Sequence, residues 1–214
     1  MAKIGIMGGT FDPIHNGHIM LGKQAYEEYQ LDEIWFMPSS QPPHKTDHKI
    51  TDTSDRCEMV RLAIQEYPYF RFSDFELRRT GNTYTAETLL LLNKAYPEHQ
   101  FYFIIGADSL YQLENWYHPE LVTAQTILLA AVREYPNAPR TMEEQAQYLN
   151  AKYHADIRLL HCGEVDLSSS ELREMKSRGK RICKYVHKQV EEYIDRHRLY
   201  RPDKELQIMD KELA

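Results

Sequence analysis

Short apolar runs alternate with amphipathic stretches along most of the chain, and this alternation predicts an α/β protein: a doubly wound parallel sheet with helices on both faces. The run Gln100 to Ile105 (QFYFII) is apolar from Phe101 onward, as a strand covered on both sides must be. The residues of unusual chemistry follow apolar runs, where the carboxyl ends of strands gather ligand-binding loops. With 214 residues the chain can bury one good core. Residues 1–200 are assigned to a single domain and 201–214 to a charged C-terminal tail.

Each element has its own signal. Lys3 to Met7 reads as the first strand, and Ile19, Met20, Leu21, Ala25, Tyr26 and Tyr29 place apolar groups at helical spacing after it. Glu33 to Met37 is a second strand, closed by Pro38. Ser39 to Asp55 is a polar loop with two prolines, and a helix follows with Val60, Ala63, Ile64 and Tyr67 on one face. Phe70 to Leu77 reads as a strand, Thr85 to Tyr96 as a helix and Gln100 to Ile105 as the central strand. Thr126 to Val132 is a buried strand, Met142 to Tyr153 a helix and Ile157 to His161 a strand. Two more helices complete the order.

Bulk chemistry narrows the function. The net charge of -6 gives no basic field to attract nucleic acid or anionic lipid, so a phosphate-bearing partner needs a local site. No apolar run approaches the roughly 20 residues of a membrane span, and the N-terminus enters a strand rather than a signal peptide. Cys57, Cys162 and Cys183 are odd in number and lack CxxC spacing. They read as reduced thiols in a cytoplasmic protein. Composition leaves self-association open.

The stretch GGTFDPIHNGHI from Gly8 joins the first strand to the first helix. Gly8 and Gly9 allow close backbone approach, with Thr10 beside them, and Pro13 fixes part of the turn. The helix start aims free N–H groups and a positive dipole end into this turn. His15 and His18 would reach the same small volume, where each can donate an N–H to a phosphate oxygen. The spacing matches neither GxGxxG nor the Walker loop. A metal pair is the competing reading, with Asp12 as its thin support; so is a plain helix start capped by Asn16.

A second stretch, Leu167 to Arg173 (LSSSELR), opens a helix with three serines and places Arg173 one turn on, within reach of the same anion. Its bland reading is a serine cap with a solvated arginine. After the central strand come Gly106 and Asp108. Asp108 could accept from a ribose or cap the helix near Ser109. Trp116 offers an indole that stacks on a flat or cationic ring, or packs into the core. His44 and His48 sit in a loop beginning Pro-Pro, which opposes the helix that a metal pair at this spacing would need.

These stretches resemble the nucleotidylyltransferase superfamily. His15-Asn16-Gly17-His18 is similar to its T/HxGH motif. Leu167 to Arg173 is similar to its ISSTxxR motif, with Leu for Ile and Ser for Thr. Gly81-Asn82-Thr83-Tyr84-Thr85, GADSLYQLENW, the PPHK ending at Lys45, and SDRCEMVRLAI resemble the bacterial nicotinate mononucleotide adenylyltransferase branch. The resemblance runs from Lys3 to about Tyr200; Glu134 stands where that family commonly has proline. It implies a Rossmann-like fold and adenylyl transfer from ATP, carried with Mg2+, to nicotinate mononucleotide. His15, His18 and Arg173 would then act on the triphosphate, with Gly8, Gly9, Thr10, Gly106, Asp108, Ser168 and Ser169 holding the nucleotide. Trp116 would stack on the pyridine ring, Tyr84 and Thr85 would offer main-chain donors, and Lys45 and Arg133 would meet the acceptor's phosphate or carboxylate. The resemblance implies no protein-held metal. Adenylyl transfer to nicotinamide mononucleotide or to both mononucleotides, and a non-catalytic nucleotide sensor, are the alternatives.

Overall fold

The computed structural model describes residues 1–40, 50–79, 83–133, 138–163 and 168–201. Lys45, His44 and His48, Gly81 and Asn82, Glu134, Leu167 and the tail from residue 202 lie outside the described residues. The first half of the chain runs β1 (Lys3–Gly9), α1 (Asn16–Glu28), β2 (Glu33–Pro38), α2 (Thr53–Ile64), β3 (Phe70–Phe72), α3 (Thr85–Ala95) and β4 (Gln100–Ile105). It continues through α4 (Ala107–Gln112), α5 (Pro119–Gln125), β5 (Ile127–Ala131), α6 (Met142–Tyr153), β6 (Ile157–Leu160), α7 (Ser169–Ser177) and α8 (Lys188–Arg196).

Among the described residues the strands form one sheet in the order β3-β2-β1-β4-β5-β6, and every neighbouring pair is parallel. The predicted α/β doubly wound architecture is present. Side chains alternate across it, because successive Cβ atoms of a strand point to opposite faces. Met7, Tyr102, Ile104 and Leu129 join the core under α1, α2, α7 and α8. Ile4, Ile6, Phe101, Ile105 and Leu128 join the core under α3 to α6. The winding reverses between β1 and β4, so the loops after these two central strands splay apart and open a crevice. Gly8 to His15 and Gly106 to Asp108 occupy that crevice.

Several boundaries differ from the sequence expectations. The third strand stops at Phe72, not Leu77: Ser73 Oγ accepts from the Phe75 N–H (3.4 Å), and a 3₁₀ turn follows at Glu76–Arg78. Helix α2 ends at Ile64, because Pro68 disfavours helical backbone at Tyr67, whose N–H instead closes a turn on the Ile64 carbonyl. Helix α2 also begins at Thr53, inside the expected loop. Helix α5 was not anticipated, although Pro119 at its first turn is a recognised start signal.

Helix α1 seats close to the sheet at Gly22. A Cβ there would meet the Phe70 ring at 3.1 Å and the Phe36 ring at 3.2 Å. Gly22→Val should therefore overpack this contact and lower stability by about 1–3 kcal/mol, read as a lower urea midpoint. An unchanged midpoint would show that α1 does not depend on this close approach.

Candidate active site

The turn after β1 is held through its backbone. Thr10 carbonyl oxygen accepts from Arg56 Nη1 at 2.6 Å, and the same guanidinium donates to the carbonyls of Ser39 (3.0 Å) and Thr51 (3.0 Å) and to Thr53 Oγ1 (3.0 Å). Arg56 is 1% exposed and its charge lies near Asp12; burial lowers its pKa, against the pull of Asp12. The Asp12 carbonyl accepts from Arg173 Nη1 at 2.8 Å, and the Pro13 carbonyl from Ser169 Oγ at 3.0 Å. The two motifs therefore meet, although they stand about 160 residues apart in sequence. Arg173 and Ser169 do so by holding the loop's carbonyls, and neither is among the residues lining the two cavities described below.

The helix start has an uncommon chemistry. The N-cap of α1 is His15, not Asn16. His15 Nδ1 accepts from the Gly17 N–H (3.2 Å), and His18 Nδ1 accepts from the His15 N–H (3.3 Å). Two imidazoles thus form the reciprocal cap that Ser or Thr and Glu usually supply. A backbone donor can meet only a bare ring nitrogen, so in each neutral ring the proton sits on Nε2. The rings lie 3.9 Å apart, tilted by 43°. Burial lowers the His15 pKa from 6.5 to about 4, which makes it a neutral donor near pH 7. Asn16 faces elsewhere: its N–H and amide donate to the carbonyls of Tyr185 and Lys184.

Two cavities open beside this turn. One, of about 160 Å³, is lined by His15, His18, Gly106, Asp108, Arg133 and Cys162 among others. The other, of about 610 Å³, is lined by Gly8, Gly9, Thr10, Tyr84, Thr85 and Trp116 among others. His18, Leu21 and Gly106 line both. A Cβ at Gly106 would meet nothing within 4 Å, so any side chain there would enter the space the cavities share.

Gly106 caps α4, and Asp108 makes no side-chain cap; its carboxylate is left to the cavity wall. Ser168 takes the bland role, since its hydroxyl donates to Glu171 Oε2 (2.7 Å) and accepts from the Glu171 N–H (3.2 Å). Tyr84 caps α3 without a side-chain bond, and the first intrahelical bond is Thr88 N–H to Tyr84 O, 3.0 Å. The N–H groups of the first turn from Thr85 have no acceptor within the helix. Trp116 meets the Phe103 ring edge-on (6.4 Å, 86°), and Tyr117 lies against Tyr84 at 4.3 Å. Arg133 is exposed and joins the histidine cavity rather than that of Trp116; its charge reaches Glu171. Gly9 also serves packing, since a Cβ would press on the Phe11 ring at 3.1 Å. Among the described residues no three His, Cys, Asp or Glu side chains are grouped as a metal site would need. Likewise among them, no helix is long and apolar enough to cross a membrane.

Sequence reasoning passed over Arg56 and Tyr200. Arg56 carried a signal: with Val60, Ala63 and Ile64 it occupies the buried stripe of α2 at helical spacing. Tyr200 carried none.

A cytidylyltransferase-like family profile matches residues 6–175. A probable nicotinate-nucleotide adenylyltransferase of Lachnoclostridium phytofermentans is 44% identical over 94% of this chain and 100% of its own length. One of Bacillus cytotoxicus is 39% identical over 94% and 99%. This chain belongs to the nicotinate-nucleotide adenylyltransferase family. Among solved structures, the Plasmodium falciparum nicotinic acid mononucleotide adenylyltransferase complexed with NaAD shares the fold, with a TM-score of 0.76 and 23% identity over 94% of this chain and 98% of that one. The form complexed with APC gives a TM-score of 0.74 at 21% identity over 94% and 98%.

The depressed His15 pKa makes folding depend on pH. The unfolded ring binds a proton below 6.5 and the folded ring only below about 4. Between those values the unfolded state holds more protons, so stability rises with pH across the window and its loss is complete below it. In urea titrations from pH 7.5 to 4.5, His15→Gln should lose less stability than the wild type on acidification. Parallel losses would place His15 in solvent.

Proposed function

We propose that this chain is a cytoplasmic enzyme that transfers the adenylyl group of ATP to nicotinate mononucleotide, giving nicotinate adenine dinucleotide and pyrophosphate. The observation that carries this reading is the pair of cavities sharing His18 and Gly106, because a two-substrate transfer needs its reacting atoms at such a seam. The names of the relatives support the same substrates, and the Plasmodium protein has been seen with NaAD.

The acceptor phosphate is a dianion near pH 7, its second ionisation lying at about 6, so no general base or enzyme nucleophile is needed. One of its oxygens attacks the α-phosphorus, and the bond to the bridging oxygen breaks to release pyrophosphate. The protein's task is alignment and the stabilisation of charge gathering on the phosphates. His15 and His18 donate Nε2–H groups to the triphosphate from fixed positions. Gly8, Gly9 and Thr10 let the backbone approach it. Arg173 and Ser169 hold the turn, which keeps the positive charge of Arg173 beside the loop that carries the triphosphate.

Gly106 and Asp108 meet the adenosine part, and Arg133, in the histidine cavity, is assigned to phosphate rather than to the pyridine end. Trp116 stacks on the pyridine ring, while the first-turn N–H groups at Tyr84 and Thr85 receive its carboxylate. Lys45 is assigned to the acceptor as well. Mg2+ would travel with ATP, touching mainly phosphate and water, and would supply positive charge that offsets the phosphates; of the residues lining the histidine cavity, Asp108 is the carboxylate that could reach it.

Removing one positioned donor should be costly: His18→Ala lowers kcat by about 10²–10³-fold, and near-normal turnover by the folded variant would remove His18 from the mechanism. Trp116→Ala should raise KM for the mononucleotide by roughly tenfold, as loss of a ring stack worth about 1–3 kcal/mol implies. A change confined to the KM of ATP would refute the stacking assignment. Pyrophosphate release with the acid mononucleotide and its amide, run side by side, decides the substrate. Equal or faster turnover of the amide overturns the acid assignment.

A further inference from the structure

The Asp12 carboxylate is 1% exposed, in the middle of the turn that carries the histidines, and adenylyl transfer as proposed above gives it no role. A carboxylate so buried must be hydrogen-bonded. Its Oδ1 accepts from the Tyr200 hydroxyl at 2.7 Å, and its Oδ2 from the Thr51 N–H at 3.4 Å. The backbone carbonyl of the same residue takes Arg173 Nη1 at 2.8 Å. One loop residue therefore joins Tyr200, which follows α8, to the arginine of the second motif.

Tyr200 reaches this position at some conformational expense. Its backbone is left-handed (φ 65°), as is that of Arg198 (φ 54°), a region that suits glycine and asparagine rather than an aromatic residue. Such conformations persist where surrounding contacts enforce them, and they concentrate at functional sites. The ring packs on the core beneath α1, α2 and α8, and the hydroxyl lies 4.0 Å from Met59 Sδ. Burial first, and then the Asp12 charge, push the phenol's pKa up, so it remains a donor throughout the working pH range.

We propose that Tyr200 is a positioning residue for adenylyl transfer: its hydroxyl fixes Asp12, and through that residue sets the histidine turn against Arg173. The role rests on the transfer reading. It predicts a loss in the transition state with substrate binding largely intact, because the turn would still form but with its donors displaced. Tyr200→Phe keeps the ring and removes only the hydroxyl.

The test is a double-mutant cycle of Tyr200→Phe and Asp12→Asn, assayed by pyrophosphate release with thermal midpoints measured alongside. Tyr200→Phe should lower kcat about tenfold, change either KM by no more than about twofold, and unfold well above the assay temperature. The double variant should fall little below the worse single variant, since both remove one contact. Fully additive losses, or an unchanged kcat in Tyr200→Phe, overturn the positioning role while leaving adenylyl transfer standing. A wild type that releases no pyrophosphate overturns the transfer reading and this role with it.

Discussion

The carbonyls of the turn between Thr10 and His15 are held from several sides, and the rest of the site depends on that constraint. Arg56 takes the Thr10 carbonyl, Arg173 that of Asp12 and Ser169 that of Pro13. A glycine-led turn has little intrinsic reason to keep one shape. Here the shape comes from donors on α2 and α7. Arg56 matters most, because its planar fork spans three carbonyls and a hydroxyl that a lysine ammonium could not serve together. The buried charge is tolerated since nearby Asp12 opposes it and its donors are met.

With the turn fixed, the two histidines can do two jobs at once. Their Nδ1 atoms cap α1, which leaves the proton of each neutral ring on Nε2. Burial keeps His15 neutral, so its contribution is a directed dipole rather than a charge. Such a donor needs no reorganisation when charge gathers on a phosphate. A capped, protonated Nε2 pair is also a poor metal site, because a metal would need that nitrogen bare.

The sheet order supplies the second requirement, which is room for two substrates. The chain reverses its winding between β1 and β4, and the loops after those strands carry the histidine turn and Gly106. Gly106 lacks a side chain where one would enter the shared space. Helix α3, uncapped by its own side chains, presents its first turn to the larger cavity, which Trp116 also lines. Fold topology thus brings the starts of α1 and α3 to two adjoining cavities.

Strand and helix order was legible in the sequence because apolar periodicity is a local property: β4 and α6 begin and end where the pattern said. The turn after β1 stood out in the sequence too, since glycines and histidines at that spacing suit few other purposes, and those residues line the two cavities. Spacing could not show who bonds to whom. Arg56 and Thr10, Arg173 and Asp12, and Tyr200 and Asp12 are separated by 46, 161 and 188 residues. Those bonds exist only once the fold has brought α2, α7 and the segment after α8 to one turn. The ring tautomers, the capping role of Ser168 and the place of Arg133 beside the histidines were decided in the same way. Local sequence determined which groups the chain carries; partner choice belonged to the tertiary structure, because a hydrogen bond depends on position in space and periodicity records only position along the chain.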